Sequence, residues 1–188
     1  SFIKEDICHE KNILQIIDNF KPNIIINLAA ESHVDRSIEN PLPFINSNIL
    51  GTFNILNCAY RYWRTLDKKS KNNFLFHQVS TDEVYGDIEK NDLPCDESVA
   101  YNPSSPYAAS KASSDHLVRS WSRTYDFPVV VTNCSNNYGP FQFPEKFIPH
   151  IIISAIKGNK IPIYGNGEQS RDWIHVEDHI KALKEVFL

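Results

Sequence analysis

The chain contains no methionine, no excess of basic residues and no long apolar run. Its formal net charge of −4 gives no basic face for nucleic acid. No apolar stretch approaches the ~20 residues that a membrane-spanning helix needs. These absences predict a soluble protein of one domain, or of one domain and part of another, that binds neither nucleic acid nor a membrane.

Cysteine is scarce and shows no pattern that favours a metal or a disulfide framework. No two cysteines form a Cys-x-x-Cys pair, and a chain of 188 residues needs no disulfide to bury a core. We therefore expect no metal site and interpret the cysteines as reduced thiols of a cytoplasmic protein: Cys8, Cys58, Cys95 and Cys134.

The two ends of the sequence predict a fragment. The first residues, SFIKEDI, are typical of the inside of a strand, and the last, EDHIKALKEVFL, stop within an amphipathic helical pattern with no capping residue after it. Removal of an initiator methionine before Ser1 would also account for the missing methionine. We expect that both ends are cut.

Short apolar runs alternate with longer segments of helical periodicity. The pattern predicts strands at 2–7, 23–30, 73–80 and 128–135, and helices at 12–20, 44–63 and 106–125. Continuous apolar runs such as IIINLA and VVVT are typical of strands covered on both faces. The sequence thus predicts a doubly wound α/β fold with a parallel sheet between helices. The charged segment 64–73 is interpreted as a solvated connection.

Prolines and glycines interrupt this pattern after Ser135. There the sequence predicts one helix at about 145–157 and one short strand at 161–164, and strand-helix alternation resumes at Arg171. We therefore expect a main domain over 1–136, part of a smaller substrate-facing lobe over 137–170, and a return to the main domain over 171–188.

Polar residues follow the predicted strands, where ligands bind in such folds. They are found at 29–33, 80–83 and 133–137. The small residues Ala29 and Ala30 would let a cofactor approach the backbone, although close helix packing is the favoured explanation for this pair taken alone.

The strongest local signal is SSPYAASKAS, in which Ser105 and Pro106 predict a helix start. Tyr107 and Lys111 are spaced i, i+4 and so share one helical face. A nearby ammonium stabilises a phenolate and makes tyrosine a plausible general base. The spacing is common by chance, but it opens a helix that follows a strand ending in Ser80-Thr81, whose hydroxyl could complete a hydrogen-bond relay.

Five segments together resemble the extended short-chain dehydrogenase/reductases, and within them the dTDP-glucose 4,6-dehydratases. The segments are LAAESHVDRSI (28–38), STDEVYGD (80–87), SSPYAASKASSDHL (104–117), NCSNNYGPFQFPEKFIP (133–149) and PIYGNGEQSRDWIHVEDH (162–179). The resemblance spans the whole chain but corresponds to the middle of the family's chain. The usual first strand with its GxxGxxG turn and the end of the sugar-nucleotide lobe would be missing.

The resemblance implies a Rossmann domain with NAD as cofactor and dTDP-glucose as substrate. Thr81, Tyr107 and Lys111 would serve the oxidation at C4, in which Tyr107 takes the hydroxyl proton. Glu83 would then remove the C5 proton and Asp82 would protonate the departing C6 hydroxyl, before the hydride returns to C6.

Two carboxylates suit this chemistry because one must be ionised while the other is protonated. In a straight strand Asp82 and Glu83 would face opposite sides, so both reach the sugar only if the backbone turns there. Val84-Tyr85-Gly86 permits such a turn. The alternative is that Thr81 or Asp82 simply caps a helix whose positive end favours Glu83.

The resemblance also implies further contacts and a homodimer formed through 44–63 and 106–125. Cofactor contacts would come from Asp6 and Ile7 near the adenine, from Leu28, Ala29, Ala30 and Ser47 along the cofactor, from Tyr107 and Lys111, and from Asn137 near the nicotinamide. Substrate contacts would come from Ser32, Thr81, Asn136, Lys146, Phe147, Pro162, Tyr164 and Arg171. Arg171 suits a diphosphate and Tyr164 a base, although ordinary packing explains Phe147, Pro162 and Tyr164 equally well.

Two other functions stay open at this point. A related sugar-nucleotide 4-epimerase or decarboxylase would share the Tyr-x-x-x-Lys spacing but has no use for the acid-base pair after Thr81. A non-catalytic nucleotide-binding module would retain the fold, and the absence of a GxxGxxG turn is compatible with it.

Overall fold

A computed structural model describes residues 1–88, 94–161, 163 and 165–187. The chain divides into two compact units, Ser1–Asn133 and Cys134–Leu188. In the part of the chain so described, no helix is both long and apolar enough to cross a membrane.

The first unit contains a three-stranded sheet in the order β1-β2-β3, formed by Ile24–Asn27, Leu75–Thr81 and Val129–Cys134, whose last residue lies beyond the unit boundary. Strands β1 and β2 run parallel, with Ile24 paired to Leu75 and Asn27 to Gln78. Helices alternate with these strands, so the predicted α/β class with parallel pairing is confirmed.

The first unit has helices over the predicted segments 12–20, 44–63 and 106–125, and further short helices that were not predicted. They are α1 (Glu10–Phe20), α2 (Val34–Glu39), α3 (Leu42–Phe44), a π-helical segment (Ile45–Gly51), α4 (Thr52–Thr65), α5 (Lys68–Asn72), the 3₁₀ turn Asp82–Tyr85 and α6 (Pro106–Tyr125). The start of α6 is as predicted, because the Ser105 side chain accepts a hydrogen bond from the Ala108 N–H at 3.0 Å and Pro106 occupies the first turn.

The core of this unit lies where α1, α4 and α6 meet the sheet. Ile13 and Ile17 are one turn apart on α1 and are buried with Leu56 of α4 and Val118 of α6. The aromatic rings of Phe74, Phe76 and Phe127 complete this cluster. Burial of this apolar surface is the main force that fixes the strand ends, and with them the candidate site.

The second unit contains a two-stranded parallel sheet of β4 (Asn136–Tyr138) and β5 (Trp173–His175). Its helices are α7 (Phe147–Ile156) and α8 (Val176–Glu185). The predicted helix at 145–157 and the strand-helix sequence after Arg171 are confirmed. The finer boundaries predicted at 136 and 170 stay predictions.

Three local predictions were wrong or incomplete. Residues 2–7 form no strand, because their polar groups bond locally: the Asp6 side chain accepts from the Cys8 N–H at 2.8 Å and the Asp6 carbonyl from the His9 N–H at 3.0 Å. The connection 64–73 contains the exposed helix α5, which Asp67 caps by accepting from the Ser70 N–H. The predicted strand at 161–164 falls partly outside the described residues, and residues 161 and 163 are not in a strand.

The expected burial of the strands on both faces holds only for β2. Every residue of β2 beyond Leu75 is buried, whereas Ile24 and Ile26 of β1 are each 40% exposed and all of β3 is half-buried. The central strand of the three is therefore the one that both neighbours and helices protect.

Candidate active site

The backbone turns sharply directly after β2. Such a turn is needed if two adjacent carboxylates are to reach the same sugar. Thr81 ends the strand, and Asp82–Tyr85 form a 3₁₀ turn that Gly86 closes at a φ of 87°. Residues of a 3₁₀ turn are not held on opposite faces as in a strand, so Asp82 and Glu83 are freed from strand alternation. Both side chains are half-buried.

Thr81 also caps this turn, as the alternative interpretation expects. Its hydroxyl accepts from the Glu83 N–H at 3.3 Å and donates to Asp82 Oδ1 at 3.2 Å. The capping contact and a catalytic use of the carboxylates are compatible, because the cap uses the backbone N–H of Glu83 and not its carboxylate.

Tyr107 and Lys111 lie in the first turns of α6, and the Lys111 side chain reaches β2. Tyr107 is buried with its ring edge against Phe44, at a centroid distance of 6.4 Å, and its N–H donates to Ser37 Oγ at 3.1 Å. The Lys111 side chain is only 4% exposed, and its ammonium donates to the Val79 carbonyl at 2.8 Å. The helix start thus holds a buried cation one turn from a buried phenol, at the carboxyl end of β2.

Four of the predicted cofactor residues line one cavity of about 410 Å³: Asp6, Ile7, Ala29 and Ser47. Glu31 lines the same cavity. The Cys8 N–H, which donates to the Asp6 carboxylate, holds the pKa of Asp6 below its usual value, so the cavity carries a negative charge at neutral pH. An acidic side chain beside small residues fits the sugar hydroxyls of a dinucleotide.

The remaining predicted residues of this region flank the cavity without lining it. Leu28 is 60% exposed directly after β1, Ala30 is half-buried, and Ser32 is exposed. The cofactor and substrate roles of these residues stay predictions.

Asn48 fixes the loop that carries these residues, and it was not among the residues predicted from the sequence. From the π-helical segment its side chain accepts from the Glu31 N–H at 2.8 Å and donates to the Glu31 carbonyl at 3.0 Å. It also donates to Ser110 Oγ at 2.8 Å, between Tyr107 and Lys111 on α6. One buried amide therefore connects the cavity loop to the helix with the tyrosine and lysine.

A second polar cluster, also not predicted, lies behind the turn after β2. Asp115 is 0% exposed and accepts from Ser80 Oγ at 2.6 Å and from Tyr101 Oη at 3.1 Å. Asn133 donates to the Thr81 carbonyl at 3.0 Å and Arg119 donates to Tyr101 Oη at 3.1 Å. One feature of the sequence could have predicted Asp115 as part of the site: Tyr107, Lys111 and Asp115 are spaced at i, i+4 and i+8 and so share one helical face.

The second unit contains the other predicted contact residues. Asn137 Oδ1 accepts a hydrogen bond from His179 Nδ1 at 2.7 Å, and the Asn136 side chain donates to the Asp172 carbonyl at 3.3 Å. Lys146 precedes α7 and is half-buried, and the guanidinium of exposed Arg171 donates to the Ser170 carbonyl.

Phe147 stacks on Trp173 at a centroid distance of 6.0 Å, a contact that the packing interpretation expects. Pro162 and Tyr164 lie outside the described residues.

The sequence pattern of the GDP-mannose 4,6 dehydratase family matches residues 1–187. The chain belongs to the GDP-mannose 4,6 dehydratase family. Two curated relatives are similar to this chain: the dTDP-glucose 4,6-dehydratase of Salmonella typhimurium is 55% identical over 99% of the chain, and dTDP-glucose 4,6-dehydratase 1 of Escherichia coli is 54% identical over 98%. The resemblance inferred from the motifs is confirmed.

Solved structures of this family agree with the fold. A dTDP-glucose 4,6-dehydratase of Streptomyces venezuelae, crystallised with NAD and TYD, is 39% identical with a TM-score of 0.88 over 98% of the chain. The Bacillus anthracis enzyme, in complex with NAD, is 39% identical with a TM-score of 0.85 over 99%.

The chain spans only about half of each of these proteins. It covers 54% of the Salmonella and Escherichia coli relatives, 53% of the Streptomyces chain and 54% of the Bacillus chain.

Proposed function

We propose that the protein to which this chain belongs dehydrates dTDP-glucose to dTDP-4-keto-6-deoxyglucose with NAD, as a cytoplasmic hydro-lyase of nucleotide-sugar metabolism. The single observation that carries the proposal is the turn after β2, in which the Thr81 hydroxyl donates to the Asp82 carboxylate and accepts from the Glu83 N–H. Relatives at 54–55% identity that are named for this reaction support it.

NAD, when bound, would supply the hydride acceptor for C4 of the sugar and the hydride donor for C6. The cavity lined by Asp6, Ile7, Ala29 and Ser47 fits such a cofactor in the chemistry of its lining. Asp6 offers acceptor oxygens to ribose hydroxyls, and Ala29 leaves room for close approach to the backbone.

Tyr107 takes the C4 hydroxyl proton in the first step. The buried Lys111 ammonium, one helical turn away, stabilises the phenolate that this step needs. Thr81 donates or accepts at the same hydroxyl and so orients the sugar. General-base catalysis of this kind contributes typically about 10² to 10⁴ in rate.

The C4 ketone acidifies the C5 proton, which makes elimination possible. Glu83 removes that proton as a carboxylate, and Asp82 delivers a proton to the C6 hydroxyl so that it departs as water. A 4-epimerase also needs the tyrosine and lysine, but it neither removes the C5 proton nor expels water, and so it has no use for two acids after Thr81.

We further propose that Asn137 lies near the nicotinamide and that the nucleotide sugar contacts Ser32, Asn136, Lys146, Phe147, Pro162, Tyr164 and Arg171. Phe147 and Trp173 already form a stacked pair. The family resemblance supports these contacts. The same resemblance implies a homodimer formed through 44–63 and 106–125.

The test is to incubate the full-length protein with NAD and dTDP-glucose in D₂O and to analyse the sugar nucleotide by mass spectrometry and NMR. We expect loss of one water and a deuteron at C5, because the C5 proton passes through Glu83. UDP-glucose and GDP-mannose, which carry other bases, serve as comparison substrates. A C4 epimer without loss of water would identify an epimerase instead, and binding without any turnover would identify a non-catalytic module.

A further inference from the structure

Asp115 is a buried carboxyl group that the proposed chemistry does not use. It lies on α6 one turn beyond Lys111 and two turns beyond Tyr107, on the face that packs against β2, and it is 0% exposed. A buried carboxyl group is costly unless hydrogen bonds compensate its lost hydration, so its partners indicate what it holds in place.

The first partner connects Asp115 to the end of β2. Ser80 Oγ donates to Asp115 Oδ2 at 2.6 Å, and Ser80 directly precedes Thr81. Since both groups are buried, this hydrogen bond fixes the last residues of the strand against the helix that carries Tyr107.

The second partner connects Asp115 to the turn itself through a neighbouring segment. Tyr101 Oη donates to the same carboxylate oxygen at 3.1 Å, and the next residue, Asn102, donates its N–H to the Val84 carbonyl at 3.0 Å. Asn102 also lies close to Gly86: a Cβ added to Gly86 would lie 2.2 Å from the Asn102 carbonyl oxygen. The Tyr101-Asn102 segment is therefore packed directly against the 3₁₀ turn.

Two further groups converge on Tyr101 and strengthen the same connection. Arg119 donates to the phenol oxygen at 3.1 Å, with its guanidinium 5.4 Å from the ring centre. Asn133 donates to that oxygen at 3.4 Å and to the Thr81 carbonyl at 3.0 Å. Burial raises the pKa of Asp115, while Ser80, Lys111, Tyr101 and Arg119 act in the opposite direction.

We propose that Asp115 is a positioning residue of the active site: by accepting from Ser80 and Tyr101 it holds the Thr81–Gly86 turn, with Asp82 and Glu83, in fixed register with Tyr107 and Lys111. The catalytic part of this inference rests on the proposed function. The structural part does not, because it concerns only the order of the turn.

The test compares four variants of the full-length protein: Ser80→Ala, Asp115→Leu, the double variant, and Ser113→Ala as the matched control. Ser113 is half-buried on the same helix and donates to the Ala109 carbonyl, away from the turn. Amide hydrogen exchange of residues 81–86, measured by mass spectrometry without substrate, reports the order of the turn. Steady-state kinetics with dTDP-glucose report kcat and KM.

We expect faster exchange over 81–86 in Ser80→Ala and Asp115→Leu but not in Ser113→Ala. In the same two variants kcat should fall roughly 10- to 100-fold, because catalytic groups are misplaced, while KM changes by less than about threefold. The double variant should be no worse than Asp115→Leu alone, because both changes remove the hydrogen bond between Ser80 and Asp115.

Unchanged exchange over 81–86 in Asp115→Leu, or losses that add in the double variant, would overturn the proposal. If Asp115→Leu does not fold, Ser80→Ala and Tyr101→Phe decide it by the same two readouts. If the wild-type protein does not dehydrate dTDP-glucose, the proposed function fails, and the exchange measurement still decides whether Asp115 orders the turn.

Discussion

Glu83 is the residue on which the proposed elimination depends. In the full-length protein, Glu83→Gln should retain binding of NAD and of the sugar nucleotide but lose dehydration by about 10² to 10⁴, because an amide cannot take the C5 proton. Product formation and ligand binding are measured on the same preparation, with Glu39→Gln, an exposed glutamate of α2, as the control. Wild-type turnover by Glu83→Gln would remove this residue from the mechanism.

His179 gives the second unit a pH-dependent stability. Its ring is buried and bonds to Asn137, and burial lowers its pKa below 6.5. The folded state therefore binds fewer protons than the unfolded state just below pH 6.5, so this contribution to the unfolding free energy is present above that pH and is lost as pH falls.

The corresponding measurement is chemical denaturation at several pH values between about 7.5 and 5.5, the range in which histidine titrates. The wild-type unfolding free energy should decrease with falling pH more steeply than that of His179→Gln. His150→Gln, at an exposed position on α7, should keep the wild-type slope. Equal slopes in wild type and His179→Gln would show that the burial of His179 is not coupled to protonation.

At the scale of elements, the π-helical segment Ile45–Gly51 has a specific function, because it presents Asn48 to both Glu31 and Ser110. Asn48→Ala should lower the unfolding free energy by about 2–4 kcal/mol, since three hydrogen bonds are lost and the Glu31 backbone loses its partner. Denaturation with Asn19→Ala as the exposed control measures this. A loss no larger than that of the control would show that water replaces the amide.

Periodicity and capping residues predicted most elements correctly, and the reasons are local. Helix α6 starts where Ser105 and Pro106 predict, and β2 lies in the predicted strand segment 73–80 and ends at Thr81. The strand prediction for 2–7 was wrong because its apolar residues Phe2, Ile3 and Ile7 resemble those of a strand. Strand formation depends on a pairing partner, and here the polar groups of Asp6 form local hydrogen bonds instead.

The candidate site was predictable only in part for a related physical reason. Tyr107, Lys111, Asp82 and Glu83 follow from spacing and from position after a strand. Asn48 and Asp115 did not, because their roles depend on tertiary neighbours 17 and 35 residues away in sequence. A polar residue in a helical pattern looks like a solvated position until its partners are known.

At the scale of the whole molecule, the sequence of 188 residues contains six glycines and no GxxGxxG turn. Strand β1 leaves Ile24 and Ile26 each 40% exposed, and Leu28, after its carboxyl end, is 60% exposed. Exposed apolar side chains on a sheet edge favour association, so the chain expressed alone should be poorly soluble.

The same absence predicts weak cofactor binding by this chain alone, although Asp6, Ala29, Tyr107 and Lys111 are all present. In dinucleotide-binding folds the glycine-rich turn and the helix after it supply N–H groups and a positive helix end to the pyrophosphate. A hydrogen bond to a charged group contributes about 1.5–3 kcal/mol, so lacking two or three should weaken NAD binding roughly 10³-fold or more relative to the full-length protein. Calorimetric titration of both proteins with NAD measures the difference. Micromolar affinity in the 188-residue chain, or any 4-keto sugar formed by it, would show that the cavity around Asp6 binds the cofactor without that turn.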